Sequence, residues 1–212
     1  MKIQLAVDYT DLEAAERLIS KTAQEADIVE IGTPTVLTGG RAFIEKIRSK
    51  YPSVTLLADA KIMDGGAAET RMLLDAGADI VTVMAITNDE TIKNVVRETH
   101  ERGKKCLADM MLAEDIENRT KQLDAMGVDY ICAHTAFDVQ QNTESPFADL
   151  ERIKNSVARA GTAIAGGINA DNIGRVCAYS PDIVIAGGYV CQSSDSAAAL
   201  RLLRSKITAS LY

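Results

Sequence analysis

The sequence predicts an α/β protein, a single (β/α)8 TIM barrel formed by residues 1–212, and three observations predict it. Short apolar runs alternate with longer amphipathic ones eight times along the 212 residues, with run starts 21 to 32 residues apart, the length of one βα unit. The runs are apolar on both faces, as parallel strands covered by helices require. Eight such units can close on themselves and leave no edge strand. An open doubly wound sheet is the alternative, but no GxGxxG follows the first run to support its dinucleotide-binding form.

The expected strands, in order, are Ile3–Val7, Ile28–Ile31, Thr55–Ala58, Ile80–Val83, Lys105–Ala108, Tyr130–Ala133, Thr162–Ala165 and Ile183–Ala186. Between them lie helices with recognisable ends. Thr10-Asp11 caps a helix whose apolar face carries Leu12, Ala15, Leu18 and Ile19. Asn88 opens another, with Ile92, Val95 and Val96 facing inward and Gly103 just past its end. Pro52 and Pro181 stop helices before the third and eighth strands. Residues 75–83 resemble residues 125–133, an offset of two βα units.

Composition narrows the function. Apolar residues make up 47% of the chain and charged ones 25%, as in an ordinary globular protein. With 23 basic against 30 acidic side chains the formal charge is −7, which argues against a nucleic-acid binder or a partner for anionic membranes. No apolar stretch approaches the ~18 residues of a membrane helix, and an early charge excludes a signal peptide. The four cysteines form no CxxC pattern, which predicts reduced thiols and a cytoplasmic protein.

In a βα barrel, chemistry sits at the C-terminal strand ends. Those positions hold Asp8, Glu30, Asp59, Lys61, Asp64, Asp109 and His134. The densest group is Asp59-Ala-Lys-Ile-Met-Asp64: with Asp59 ending the third strand, Lys61 falls on the same side and Asp64 starts the next helix. Flanking carboxylates favour the charged ammonium, so Lys61 suits oxyanion stabilisation better than Schiff-base chemistry. Glu30 and Asp59, from adjacent strands, offer hard oxygen ligands suited to Mg²⁺; the alternative is that Glu30 pairs with Lys61. His134 is the candidate general base, whereas His100 is an ordinary choice for the last turn of a helix. Gly166-Gly167 and Gly187-Gly188, after the seventh and eighth strands, would let backbone N–H groups, with helix N-termini behind them, approach a phosphate.

These residues resemble the orotidine-phosphate decarboxylase suprafamily, in which the strand-three DxKxxD motif is shared by chemically different enzymes. Within it the chain is most similar to the 3-hexulose-6-phosphate synthase branch, through Leu5–Asp8, Val29–Pro34, Leu57–Asp64, Ala78–Val83, Gly127–Cys132, His134-Thr135 and Thr162–Ile168. The resemblance implies an aldehyde-lyase that condenses formaldehyde with D-ribulose 5-phosphate through a Mg²⁺-stabilised enediolate. It implies Mg²⁺ on Glu30 and Asp59, proton transfer by His134, and phosphate at the glycine pairs. It also implies a homodimer in which Asp64 reaches the neighbouring site. The sister branch, 3-keto-L-gulonate-6-phosphate decarboxylase, typically carries Glu, Arg and Arg where this chain has Asp109, Phe137 and Gly188. Ribulose-phosphate 3-epimerase needs metal-binding histidines absent here, and a catalytically inert phosphosugar-binding barrel is the remote alternative.

Overall fold

The computed structural model describes residues 1–140 and 146–210, so parts of the expected 1–212 domain, 141–145 and 211–212, lie outside the described residues. Eight parallel strands alternate with helices: β1 (Lys2–Val7), β2 (Ile28–Ile31), β3 (Thr55–Ile62), β4 (Ile80–Met84), β5 (Lys105–Asp109), β6 (Tyr130–His134), β7 (Gly161–Ala165) and β8 (Ile183–Ala186). β8 pairs with β1 through Lys2↔Ile183 and Leu5↔Ala186, which closes the barrel and removes the open-sheet alternative.

The helices follow from their caps and apolar stripes. α1 (Leu12–Thr22) starts where the Asp11 carboxylate accepts from the backbone N–H groups of Glu13 and Ala14. α2 (Thr33–Lys50) has Pro34 in its first turn, kinks at Gly40, and ends before Pro52. α3 (Gly66–Asp75) begins two residues after Asp64, on Gly65, so Asp64 precedes the helix rather than opening it. α4 (Asp89–Glu101) carries the Asn88 cap and buries Ile92, Val95 and Val96. α5 (Ile116–Met126), α6 (Phe147–Ser156), α7 (Ile173–Tyr179), the four-residue α8 (Gly188–Cys191) and α9 (Ser196–Ala209) complete the shell.

Two apolar layers explain why the strands are apolar on both faces. Outward-pointing residues such as Leu5, Val29, Leu56, Val81 and Ile131 pack under the helices. Inward-pointing Ala6, Ile28, Leu57, Ile80, Leu107, Cys132, Ala163 and Ile183 fill the lumen, so the barrel is a packed core rather than a pore. Each fully buried Leu or Ile contributes about 1.5–3 kcal/mol relative to exposure. Cys106, Cys132 and Cys177 are buried and all four thiols are free; burial pushes Cys106 up to about 12.

The floor of the barrel repeats one hydrogen bond four times. The carboxylates of Asp27, Asp79, Asp129 and Asp182, each just before an even-numbered strand, accept from the backbone N–H of Ile3, Leu56, Cys106 and Thr162 on the preceding odd-numbered strand, at 2.7, 2.9, 2.9 and 2.7 Å. Each satisfies a donor at the strand start that the ladder leaves unpaired, and thereby sets the register of two strands. This is the physical content of the internal similarity in the sequence, because Asp79 and Asp129 are its matching acids.

Asp79 also pairs with Arg48 and Lys104. Burial raises its pKa, but the Lys104 hydrogen bond, the Leu56 N–H and Arg48 outweigh burial and hold the carboxyl below its ordinary range. A group with a depressed folded-state pKa contributes stability that is present above its unfolded value, near pH ~3.9, and is lost as pH falls through the folded one. Asp79→Ala should therefore cost about 1–3 kcal/mol at neutral pH, by leaving the Leu56 N–H unpaired, and should flatten the acid limb of stability between about pH 4 and 2. Urea unfolding as a function of pH measures both; an unchanged acid limb would show that the carboxylate is not the stabilising form.

Candidate active site

Asp59 does not end β3. The strand continues to Ile62 through a bulge, its register against β4 passing from Ala58↔Val81 to Ile62↔Val83. Lys61 sits in this bulge in the left-handed region, at φ 47°, a conformation that costs a non-glycine residue about 1–3 kcal/mol. There its backbone N–H donates to Thr82 Oγ1 at 2.9 Å, while its ammonium donates to Asp59 Oδ2 at 2.5 Å and stands 3.7 Å from Asp109 Oδ2. Burial alone would discharge Lys61, but Asp59 and then Asp109 and Glu30 outweigh it and hold its pKa above the ordinary lysine value. The expected cation is present, and its partners are Asp59 and Asp109 rather than Glu30.

Both oxygens of Asp59 accept from the protein, and Oδ1, with a single donor among the described residues, keeps an acceptor site free. Thr33 Oγ1 joins Lys61 on Oδ2 at 2.7 Å, and Thr82 Oγ1 donates to Oδ1 at 2.7 Å. Glu30, inward on β2, accepts at Oε2 from Gln4 Nε2 at 2.6 Å. Burial pushes its pKa well above the ordinary carboxylate range, and the charges of Asp59 and Asp8 push it further. Asp8 stands at the rim, its pKa also raised, first by desolvation and then by Asp59. It fits there because residue 32 is glycine: a Cβ on Gly32 would lie 2.0 Å from Asp8 Oδ1. Four carboxylates thus crowd one ammonium and one imidazole.

His134 ends β6, with Nδ1 2.7 Å from Asp109 Oδ2. Asp109 ends β5; burial opposes its charge, but the His134 hydrogen bond, the charges of His134 and Lys61, and the Met111 N–H hold its pKa below the usual value. An ionised carboxylate only accepts, so Nδ1 carries the proton and Nε2 is the nitrogen available to a substrate.

The glycine pairs flank this network. Gly166 adopts φ 103°, and a Cβ there would lie 2.6 Å from the Thr135 carbonyl oxygen, so this turn excludes any side chain. Gly187 packs against Ala6 and near Asp8 Oδ2, and Gly188 is the first residue of α8. The expected helix N-terminus does not follow Gly167 directly. An asparagine turn intervenes, in which the Asn169 side chain accepts from the N–H groups of Asp171 and Asn172, and α7 starts only at Ile173. Asp64 is exposed, accepts among the described residues only from the adjacent Gly65 N–H, and does not join Asp59 and Lys61 within its own chain. His100 is a floor residue, 3.1 Å from Asp129, far from the mouth.

Three site residues escape a reading of the sequence: Gln4, Thr33 and Thr82. Each sits in an apolar or turn-like stretch where its residue type is unremarkable. Strand parity is the signal that could have found two of them, since Gln4 shares the inner face with Asp8, and Thr82 shares it with Ile80. A concavity of about 600 Å³ lies at the opposite end of the barrel, among Lys2, Lys105, Tyr130, Arg159 and Asp182. The linked carboxylates, ammonium and imidazole assign the chemistry to the mouth instead.

Comparison with known proteins places the chain in a family. Residues 1–203 match the family described as orotidine 5'-phosphate decarboxylase / HUMPS. The chain belongs to that family. It is 45% identical to a Bacillus subtilis protein named 3-hexulose-6-phosphate synthase, over 93% of this chain and 94% of that one. A second relative so named, from Staphylococcus saprophyticus, is 38% identical over 98% and 99% of the two chains. Among solved structures, 3-hexulose-6-phosphate synthase from Salmonella typhimurium superposes with a TM-score of 0.96 at 36% identity, over 99% of this chain and 100% of that one. A 3-keto-L-gulonate-6-phosphate decarboxylase from Vibrio cholerae shares the fold, with a TM-score of 0.88 at 24% identity over 98% and 97% of the chains.

The orientation of the His134 imidazole can be tested directly. The Met111 N–H donates to Asp109 Oδ1 at 2.9 Å. In Asp109→Asn that donor will keep the amide oxygen, turn the NH₂ toward His134, and force the proton from Nδ1 to Nε2. Nitrogen-15 NMR of the neutral imidazole should show Nδ1–H in the native protein and Nε2–H in the variant. Nε2–H in the native protein would refute the assignment.

Proposed function

We propose that the chain is an aldehyde-lyase that reversibly condenses formaldehyde with D-ribulose 5-phosphate to give D-arabino-hex-3-ulose 6-phosphate. The observation that carries this reading is the continuous Asp59–Lys61–Asp109–His134 network at the mouth, in a chain 45% identical to a protein of that name.

The geometry supports the following roles. The glycine turns after β7 and β8 accept the substrate phosphate through backbone N–H groups. His134 Nε2 takes a proton from C1, and the C–H electron pair becomes the C1=C2 bond of an enediolate, whose negative oxygen the Lys61 ammonium stabilises. C1 then attacks the formaldehyde carbon, and the new alkoxide takes a proton from the imidazolium. Asp109 stabilises the imidazolium while it exists.

A hard dication fits the remaining charge. Asp8, Glu30 and Asp59 repel one another in a partly dry mouth, and Glu30 Oε1 accepts no hydrogen bond among the described residues. No three of the described His, Cys, Asp or Glu side chains form a ready cage. Mg²⁺ does not need such a cage, because it takes one or two carboxylates and fills its other positions with water and substrate oxygens. Glu30 and Asp59 would hold it, and bound there it would polarise the sugar carbonyl.

The same reading includes a homodimer in which Asp64 completes the neighbouring site. Exposed apolar side chains at the mouth end support it: Leu37 near the start of α2, and Met63 next to Asp64, Ile86 and Leu112 on the loops. Four free thiols support a reducing, cytoplasmic location, and no described helix is long and apolar enough to cross a membrane.

Exhaustive chelation should abolish turnover and added Mg²⁺ should restore it; full activity in a verified metal-free sample would remove the metal from the mechanism. Substrate choice separates this reading from the sister decarboxylase. Phe137 and Gly188 stand where arginines would bind a substrate carboxylate, which leaves the mouth less cationic and suited to a small neutral aldehyde. We expect kcat/KM for formaldehyde with ribulose 5-phosphate to exceed that for 3-keto-L-gulonate 6-phosphate at least ~100-fold, about 2.7 kcal/mol of transition-state preference. Side-by-side kinetics giving equal or reversed values would assign the chain to decarboxylation.

A further inference from the structure

Gln4 occupies an interior position of β1 where the neighbouring inner residues in register are Ile28 and Ile185. It is 1% exposed, in a lumen otherwise packed at that level with aliphatic side chains. An aliphatic residue of similar size would pack there without penalty. The amide instead makes one hydrogen bond, Nε2 to Glu30 Oε2 at 2.6 Å, and its carbonyl Oε1 is buried with no partner. A buried, unpaired carbonyl is costly. The cost has a cause in the partner: a carboxylate accepts only, so the amide must present its NH₂ to Glu30, and its oxygen is left without a donor.

The hydrogen bond divides the two oxygens of Glu30. Oε2 is tied to Gln4, while Oε1 accepts nothing from the described residues. Asp59, by contrast, is held at both oxygens by Lys61, Thr33 and Thr82. Glu30 sits at the register of Ala6 and Leu57, one inner position below Asp8 and Asp59, and among the described residues only Gln4 makes a contact of this kind to fix its rotation. A carboxylate that swings between one- and two-oxygen coordination binds a small octahedral cation poorly, because Mg²⁺ demands near-ideal geometry.

We propose that Gln4 is a positioning residue for the divalent cation, locking Glu30 by Oε2 so that Oε1 alone is offered as a ligand. This rests on Glu30 being a ligand, as proposed above. Loss of a hydrogen-bond partner behind a metal ligand typically lowers metal affinity about 10–100-fold.

Calorimetric titration of Mg²⁺ into the purified full-length protein, without substrate, tests it. Gln4→Met removes the donor and keeps the volume; Gln4→Asn keeps an amide but draws it one methylene out of reach. Both should weaken Mg²⁺ binding at least ~10-fold, and Gln4→Met should melt no lower than the native protein, since it also removes the orphaned carbonyl. Should Gln4→Met not fold, Gln4→Asn carries the test. Native Mg²⁺ affinity in the folded variants, with or without a lower Tm, would make the amide merely structural and overturn the proposal. Glu30→Gln separates the two levels of failure. If it too binds Mg²⁺ as the native protein does, Glu30 is not a ligand and both readings fall; if only Glu30→Gln loses affinity, the positioning role alone is wrong.

Discussion

A half-buried ammonium shared by two carboxylates is the constraint on which the mouth of this barrel depends. Lys61 reaches Asp59 and Asp109 from a strained backbone position, and through Asp109 it is linked to His134. Without that charge, Asp8, Glu30, Asp59 and Asp109 would repel one another in a partly dry site, and carboxylates so placed take up protons rather than stay ionised. The bulge that holds Lys61 therefore governs more than one residue's aim. With His134 it keeps Asp109 ionised, which sets the tautomer of the imidazole, and it occupies one oxygen of Asp59, which leaves Glu30 the more available oxygen donor.

How much of this was legible in the sequence depends on the distance over which each feature is determined. Strand positions and most helix ends were legible, because periodicity, Asp and Asn caps and proline stops act over a few residues. Strand ends were less so: β3 overruns its expected end at Ala58 because Lys61 adopts a positive φ, which a lysine does not advertise. The asparagine turn after Gly167 escaped notice because it draws on side chains two and three residues apart, within a segment that reads equally well as a helix start.

The site divides the same way. Ionisable residues at strand ends announce themselves, and Asp8, Glu30, Asp59, Lys61, Asp109 and His134 do converge. The neutral residues that orient them do not. Thr33 and Thr82 read as turn and strand formers, and Gln4 as a polar interruption of an apolar run; their roles exist only once three different strands and a helix start are brought together. Asp64 is the converse case. Its sequence neighbours mark it as part of the motif, yet within its own chain it faces solvent.

The four aspartates of the floor have a consequence for how such a barrel can change. Strand register is enforced at the end remote from the chemistry, by one acid per pair of βα units, each acting on the strand just before it. The mouth carries none of that task. Loops there can lengthen, shorten or trade a charged residue for an aromatic without moving the strands beneath them. The two-unit segment is also a natural module of exchange: a segment cut between an even strand's helix and the next odd strand keeps its own acid and its own target N–H. Chimeras joined at those boundaries would inherit a correctly registered floor whichever parent supplied the mouth, so a new chemistry on this scaffold has to solve only half of the structure.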